Sequence, residues 1–192
     1  MEIYGLTGKT GSGKTTVAKL LSEKGFYIVD GDILARKVTE KGSEVLKELS
    51  DFFGEDIIAE DGALKRQELA KRAFASEEAR QSLNRITHTA IDKLFRLEVK
   101  KAEKEGFEYC LFDAAALLES PSRNLCKKII VVYAPYDVRL QRILKRDGIS
   151  ETDAKRRMNA QKDDEYYLSH ADIIINNFPP HSLEAEIKKV TN

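Results

Sequence analysis

The sequence has no tryptophan, only two cysteines, two methionines and four prolines in 192 residues, and its 32 lysines and arginines cancel 32 aspartates and glutamates. Each shortage excludes something. Cys110 and Cys126 form no CxxC pair and have no histidine cluster beside them, which excludes a disulfide scaffold; both read as reduced core thiols, as in a cytoplasmic protein. Zero formal charge provides no global attraction for nucleic acid or an anionic membrane, so neither is expected as a partner and any polyanion site must be local. No apolar run approaches the roughly 18 residues that a membrane span needs, and the start MEIYGLTGKT carries no signal peptide. What remains, 42% hydrophobic and 33% charged, is a globular chain long enough to bury about 70% of its unfolded surface.

Short apolar runs alternate with stretches of helical period, the order of parallel strands joined by crossover helices. The predicted strands are Glu2 to Thr7, Phe26 to Asp30, Tyr109 to Asp113, Ile129 to Tyr133 and Asp172 to Asn176. IIVV and DIIIN are β-branched throughout, as suits strands covered on both faces. From about Ile33 to Glu108 the chain is polar and helical in period, with Val45, Leu46, Leu49 and Phe52 spaced as an amphipathic stripe and a long charged helix running from Glu77 towards Lys104. It reads as a helical insertion in a single domain, since no repeat, low-complexity tract or flexible linker separates it. Phe74 and Phe95, at helical spacing, read as core.

Gly8 to Thr15 spells GKTGSGKT, a full match to G-x-x-x-x-G-K-[ST], between the apolar strand EIYGL and the helix-forming TTVAKLLSEK. The setting is as informative as the match. Amides of a glycine-rich turn followed by a helix N-terminus make a nest of positive potential fitted to phosphate oxygens. Gly11 and Gly13 permit the torsions, Ser12 lies between them, Lys14 reaches the terminal phosphates, and the Thr15 hydroxyl completes the coordination of Mg2+. Thr16 caps the helix or contacts the α-phosphate. A glycine turn that merely links strand to helix would need none of the other matching positions.

The fate of the phosphoryl group rests on the other strand ends. The second strand closes on Asp30-Gly31-Asp32, whose i, i+2 spacing can send both carboxylates toward the phosphate loop. One could deprotonate an acceptor hydroxyl while the other caps a helix starting at Ile33. Asp113, after the apolar run CLFD, has the form of a magnesium-side carboxylate. Arg139, Arg142 and Arg146 fall at i, i+3 and i+7 on one helix face, with Arg156 and Arg157 beyond Gly148; they suit either a lid that neutralises a transferring phosphoryl group or a solvated charged helix. A guanine-selecting N-K-x-D segment is absent, and the D-x-x-G match at Asp51 to Gly54 sits inside the helical stretch. That favours a kinase over a GTPase switch, leaving open a kinase of another nucleoside, nucleotide or small hydroxyl compound and a nucleotide-regulated ATPase.

Together these segments resemble the dephospho-coenzyme A kinase family from Ile3 to about Asn177. GLTGKTGSGKT and DGDILAR resemble the family's GLTGGIGSGKS and D-A-D-x-x-A-R; the stretch from DGALKRQELAKRAF through LNRITHTAI follows its aspartate-glycine turn and L-x-x-I-x-H-P. DAAALLE corresponds to D-I-P-L-L-F-E, RLQRILKRDGIS with RRMNAQ to the lid, and HADIIINN to the last strand.

The resemblance implies an α/β fold of the P-loop NTPase type, three layers with a five-stranded parallel sheet, a helical acceptor-binding insertion (about 33–108) and lid helices (about 139–162). It implies transfer of the γ-phosphoryl of ATP to the ribose 3′-hydroxyl of dephospho-coenzyme A. Asp32 would then take the hydroxyl proton, with Lys14 and Arg142 also catalytic. Gly11, Ser12, Gly13, Thr15, Thr16, Arg146, Asn176 and Asn177 would hold ATP; Arg36, His88 and Glu119 would serve the acceptor. Lys9 and Thr10 replace Gly and Ile of the family pattern, Gly31 replaces Ala, and Thr89 and Ala115 replace prolines. Of these, Lys9 would add a cation near the phosphates.

Overall fold

A computed structural model describes residues 1–191. The chain divides into two compact units, one made of Met1–Val29 with the chain from Lys101 on, the other of Asp30–Lys100.

The first unit is built on a five-stranded parallel sheet of β1 (Glu2–Thr7), β2 (Phe26–Asp30), β3 (Tyr109–Asp113), β4 (Lys128–Tyr133) and β5 (Ile173–Asn176). Their order is β2-β3-β1-β4-β5. Glu2 to Leu6 run beside Tyr109 to Asp113, Tyr4 to Thr7 beside Lys128 to Val131, and Ile130 to Tyr133 beside Ile173 to Asn176. The five strands fall where the apolar runs placed them, within one residue. Between the strands come α1 (Lys14–Ser22), then α6 (Tyr136–Asp147), α7 (Glu151–Asn159) and α8 (Asp164–Leu168), and α9 (Leu183–Thr191) follows β5. β1 is the central strand: the chain leaves it toward β2 on one side, while β3 is followed by β4 on the other. Ligand crevices of open α/β sheets form at the carboxyl ends of strands around such a reversal.

The apolar face of α1 explains how the loop before it is held. Val17, Ala18 and Leu21 are buried in a cluster with Tyr4, Leu6, Leu111, Ile130, Val132 and Ile175 of the sheet and Ile187 and Val190 of α9. Each fully buried Leu, Val or Ile contributes about 1.5–3 kcal/mol, so the first helical turn is clamped to the sheet. A second cluster, Leu140, Ile143, Ala154 and Met158, joins α6 to α7. Cys110 is buried, and burial pushes the half-buried Cys126 thiol up to about 12, so it remains protonated.

The second unit contains α2 (Gly31–Lys37), α3 (Glu44–Phe53), α4 (Arg66–Ala73) and most of α5 (Glu77–Lys104). Ser43 caps α3, its Oγ accepting from Leu46 N at 3.0 Å. The core is Leu49, Phe53, Ile57, Leu69, Ala73 and Ile86. Phe53, not Phe52, completes the α3 stripe: Leu46, Leu49 and Phe53 are buried and Phe52 is 48% exposed. At 3.6 residues per turn Phe52 lies about 90° from the stripe's centre, whereas Phe53 lies on it. Phe95 is core as expected, but Phe74, just past α4, is 72% exposed.

Candidate active site

The GKTGSGKT segment follows β1 as a loop whose backbone takes conformations open chiefly to glycine. Gly11 has φ 80° and Gly13 φ 94°, in the left-handed region. Space forbids a side chain as well: a Cβ on Gly13 would sit 2.0 Å from Asn177 Nδ2, and one on Gly11 would sit 2.7 Å from the Arg139 carbonyl. Gly13 is also the N-cap of α1 and offers no side-chain cap, so no side chain covers the amides of the first turn. A short turn closes the loop on itself, Ser12 N donating to Lys9 O at 3.0 Å.

The loop's outward carbonyls are engaged from behind. Arg142 Nη1 donates to Gly11 O at 3.3 Å and Ser12 O at 3.1 Å, and its Nη2 donates to Asn177 O at 2.7 Å. Asn177 Nδ2 donates to Ser12 O at 2.7 Å, and its backbone N–H donates to Tyr133 O at 2.9 Å. The planar guanidinium reaches these carbonyls from two separate nitrogens, a rigid fork that the single nitrogen of an ammonium does not reproduce. With the carbonyls turned to these donors, the loop amides other than those of Thr10 and Ser12 are left to face an anion. Ser12 is buried and its Oγ has no hydrogen-bond partner among the described residues.

Lys14, the first residue of α1, and Asp113, the last residue of β3, form an ion pair with both side chains largely buried. Thr15 and Thr16 are exposed on α1. Asp113 and the Thr15 hydroxyl are hard oxygen donors, and no group of three or more His, Cys, Asp or Glu side chains that could hold a metal exists among the described residues. Mg2+ takes hard oxygens of this kind beside waters and substrate phosphates.

The DAAALLE segment continues β3. Ala114 N donates to Leu6 O at 3.1 Å, and Thr7 Oγ1 donates to Ala115 O at 3.2 Å, pinning the segment to β1. It ends in a 3-10 turn, Leu117–Glu119, that leaves Glu119 exposed. Burial, with the Glu119 carboxylate as the next cause, raises the Tyr166 hydroxyl above its ordinary value of 10.

The acid pair after β2 divides its labour. Asp30 is the N-cap of α2, its Oδ1 accepting from Asp32 N at 2.8 Å and Ile33 N at 3.0 Å. The helix therefore begins at Gly31, two residues before the expected start at Ile33. Asp32 sits in the first turn with its side chain exposed, Arg36 is exposed in the last turn, and His88 is half-buried on α5.

The three arginines of α6 do not share one environment. Arg139 is 1% exposed and donates from Nε to Ala134 O at 3.0 Å. Arg142 is half-buried against the phosphate loop, while Arg146 is exposed and ion-paired with Asp147 at 2.6 Å. Asp147 also pairs with Arg157 of α7. The helix thus grades from core to surface, and only Arg142 is bonded to the loop. Asn176 donates its backbone N–H to Glu186 Oε2 at 2.7 Å. Lys9, expected to face the phosphates, lies with its Nζ 2.8 Å from Asp164 Oδ1.

Arg139 belongs to the expected arginine row, though it is buried; Gln161, Asp164 and Glu186 lie outside every candidate set. No motif surrounds them, and only the closing Gln161 of the lid-like RRMNAQ segment gave a signal. The profile of the dephospho-CoA kinase family matches residues 2–180. A dephospho-CoA kinase of Corynebacterium diphtheriae is 41% identical over 177 residues, 92% of this chain and 88% of its own length. The crystal structure of a Thermus thermophilus protein superposes with TM-score 0.82 at 27% identity, covering 99% of this chain and 94% of that one. Dephospho-CoA kinase from Campylobacter jejuni superposes with TM-score 0.68 at 26% identity, over 100% of this chain and 96% of that one. A P-loop fold with the phosphate cradle intact, matched along nearly its whole length, makes this chain a member of the dephospho-CoA kinase family.

Proposed function

We propose that the protein transfers the γ-phosphoryl group of ATP to the ribose 3′-hydroxyl of dephospho-coenzyme A, giving coenzyme A and ADP. The observation that carries this is the phosphate cradle of Gly11 to Gly13, braced by Arg142 and Asn177 and flanked by the Lys14–Asp113 pair, in a chain of this family.

Transfers of this kind pass through a loose transition state, so alignment and charge neutralisation supply most of the acceleration. The amides of the loop and of the first turn of α1 hold the phosphate oxygens. Lys14 exchanges its partner Asp113 for the terminal phosphates, and Arg142 adds positive potential from behind the loop. Thr15 and Asp113 would hold Mg2+, which supplies charge neutralisation when bound. Asp32 accepts the proton of the acceptor hydroxyl late in the transfer, while Asp30 keeps the turn in place. Arg36, His88 and Glu119 serve the acceptor, whereas Thr16, Arg146, Asn176 and Asn177 serve ATP, the last from beneath the loop. One kinase domain, residues 1–192, carries the acceptor insertion at about 33–108 and a lid at about 139–162. Its free thiols suit the cytoplasm, where ATP and the acceptor are present.

A coupled assay tests the assignment. ADP formation that depends on dephospho-coenzyme A supports it; dependence on another nucleoside or small alcohol moves the protein to a different acceptor, and turnover without any acceptor makes it an ATPase.

A further inference from the structure

The half of the phosphate loop that precedes Gly11 is anchored separately from the half that Arg142 and Asn177 brace. Its anchors come from the turn after α7 and from the start of α8. Gln161 Oε1 accepts from Thr10 N at 2.8 Å, and the Lys9 ammonium lies 2.8 Å from Asp164 Oδ1. Asp164 is the first residue of α8, and its neighbour Asp163 caps that helix, the Asp163 carboxylate accepting from Tyr166 N at 2.8 Å. The carboxylate that meets Lys9 is thus held on a capped helix end. The Lys9 side chain is only 14% exposed. Beneath it Arg139, 1% exposed, brings Nη2 to 3.6 Å from the same oxygen. Lys9, Arg139, Asp164 and Tyr167 line one small cavity with Tyr133 and Val132.

We infer that Lys9 and Asp164 are a positioning pair for ATP: with the Gln161 bond to Thr10, they fix the leading half of the loop in its anion-receiving shape before ATP arrives. This rests on the reading of the loop as an ATP site. The ammonium is occupied by a carboxylate, and the pair is largely shielded from solvent, its side chains 14% and 35% exposed. It acts through the backbone of residues 8–11 rather than on a phosphate. Preorganisation of this kind appears in ground-state affinity, because the loop no longer has to be ordered when the ligand binds.

Charge arithmetic makes the two partners unequal. Two cations share one carboxylate, so removing Lys9 leaves Arg139 and Asp164 paired, whereas neutralising Asp164 leaves two shielded cations facing each other. Lys9→Met should therefore keep the melting temperature close to that of the parent protein and weaken ATP binding about three- to tenfold, with kcat changed less than twofold. Asp164→Asn should weaken ATP binding at least as much and also melt earlier. Lys9→Arg should restore affinity, since a guanidinium can still reach Asp164.

The experiment is calorimetric titration of each folded variant with ATP in the absence of acceptor, beside steady-state kinetics with dephospho-coenzyme A. If Lys9 instead touched a phosphate directly, Asp164→Asn would free it and leave affinity equal or tighter; that result overturns the inference, as does unchanged affinity in Lys9→Met. The double variant Lys9→Met with Asp164→Asn should bind ATP no worse than Asp164→Asn alone, and additive losses would also count against a pair. A parent protein that binds no ATP defeats the ATP reading itself. One that binds ATP tightly while Lys9→Met does so equally well defeats only the positioning pair.

Discussion

Two strands of the sheet end in a turn that starts a helix, and the two junctions are built oppositely. After β1 the cap is Gly13, in a left-handed conformation with no side chain to cover the amides of α1. After β2 the cap is Asp30, whose carboxylate takes two amides of α2 for itself. An uncovered helix N-terminus is a receptor for an anion, and a covered one is not. The second junction instead presents an acid, Asp32, in its exposed first turn. At the cap the two junctions differ by a single choice, glycine or aspartate, which leaves the amides of α1 open and covers those of α2.

The largest expected effect breaks the first junction. Lys14→Ala should lower kcat by about 10²–10³, the scale of removing one preorganised donor from a developing anion, while circular dichroism remains that of the folded protein. Next, Asp32→Asn should lower kcat about 10²-fold or more with KM for ATP within about twofold. If its turnover equals that of the parent, Asp32 is not the base. Asp30→Ala sharpens the comparison: losing the cap should cost about 1 kcal/mol in denaturant unfolding, and the KM for ATP should remain unchanged because the cost falls on α2 alone. A loss of ATP affinity in that variant would mean that the two junctions are not separable.

The smallest effect concerns the outer end of α6. The Arg146 guanidinium, with Arg157 next, holds the Asp147 carboxyl below its ordinary 3.8. A carboxylate depressed in the folded state stabilises above its unfolded value and loses that contribution as pH falls through the folded one. Thermal midpoints should therefore decline on acidification below about pH 4 slightly less steeply in Asp147→Asn than in the parent. An identical decline would show that solvent already screens this exposed pair.

Features written in local chemistry were legible. Short apolar runs located the strands, the glycine spacing located the loop, and i, i+3, i+7 spacing located the arginines of α6. What sequence could not show was where each neighbour in such a pattern points. One helical spacing held a buried, a bridging and a solvent-facing arginine, because a helix that leaves the core changes environment along its length as well as around it. Phe52 and Phe53 differ by one position, and only packing decides which is covered. The Asp30–Asp32 ambiguity could not be settled from spacing either, since the capping role depends on where the helix begins. Lys9 illustrates the general difficulty: its partner is 155 residues further along the chain, and no local rule foretells it.

Asn177 gives the molecule an order of assembly. The amide that braces residue 12 belongs to a residue synthesised 165 positions later, and it reaches that place only once β5 has joined β4. A nascent chain that has produced the glycine loop and its helix still lacks the brace and the strand that carries it. The brace is therefore completed only after residue 177 has been made, so truncation just before it would leave the Ser12 carbonyl without the Asn177 amide although the whole glycine motif is present.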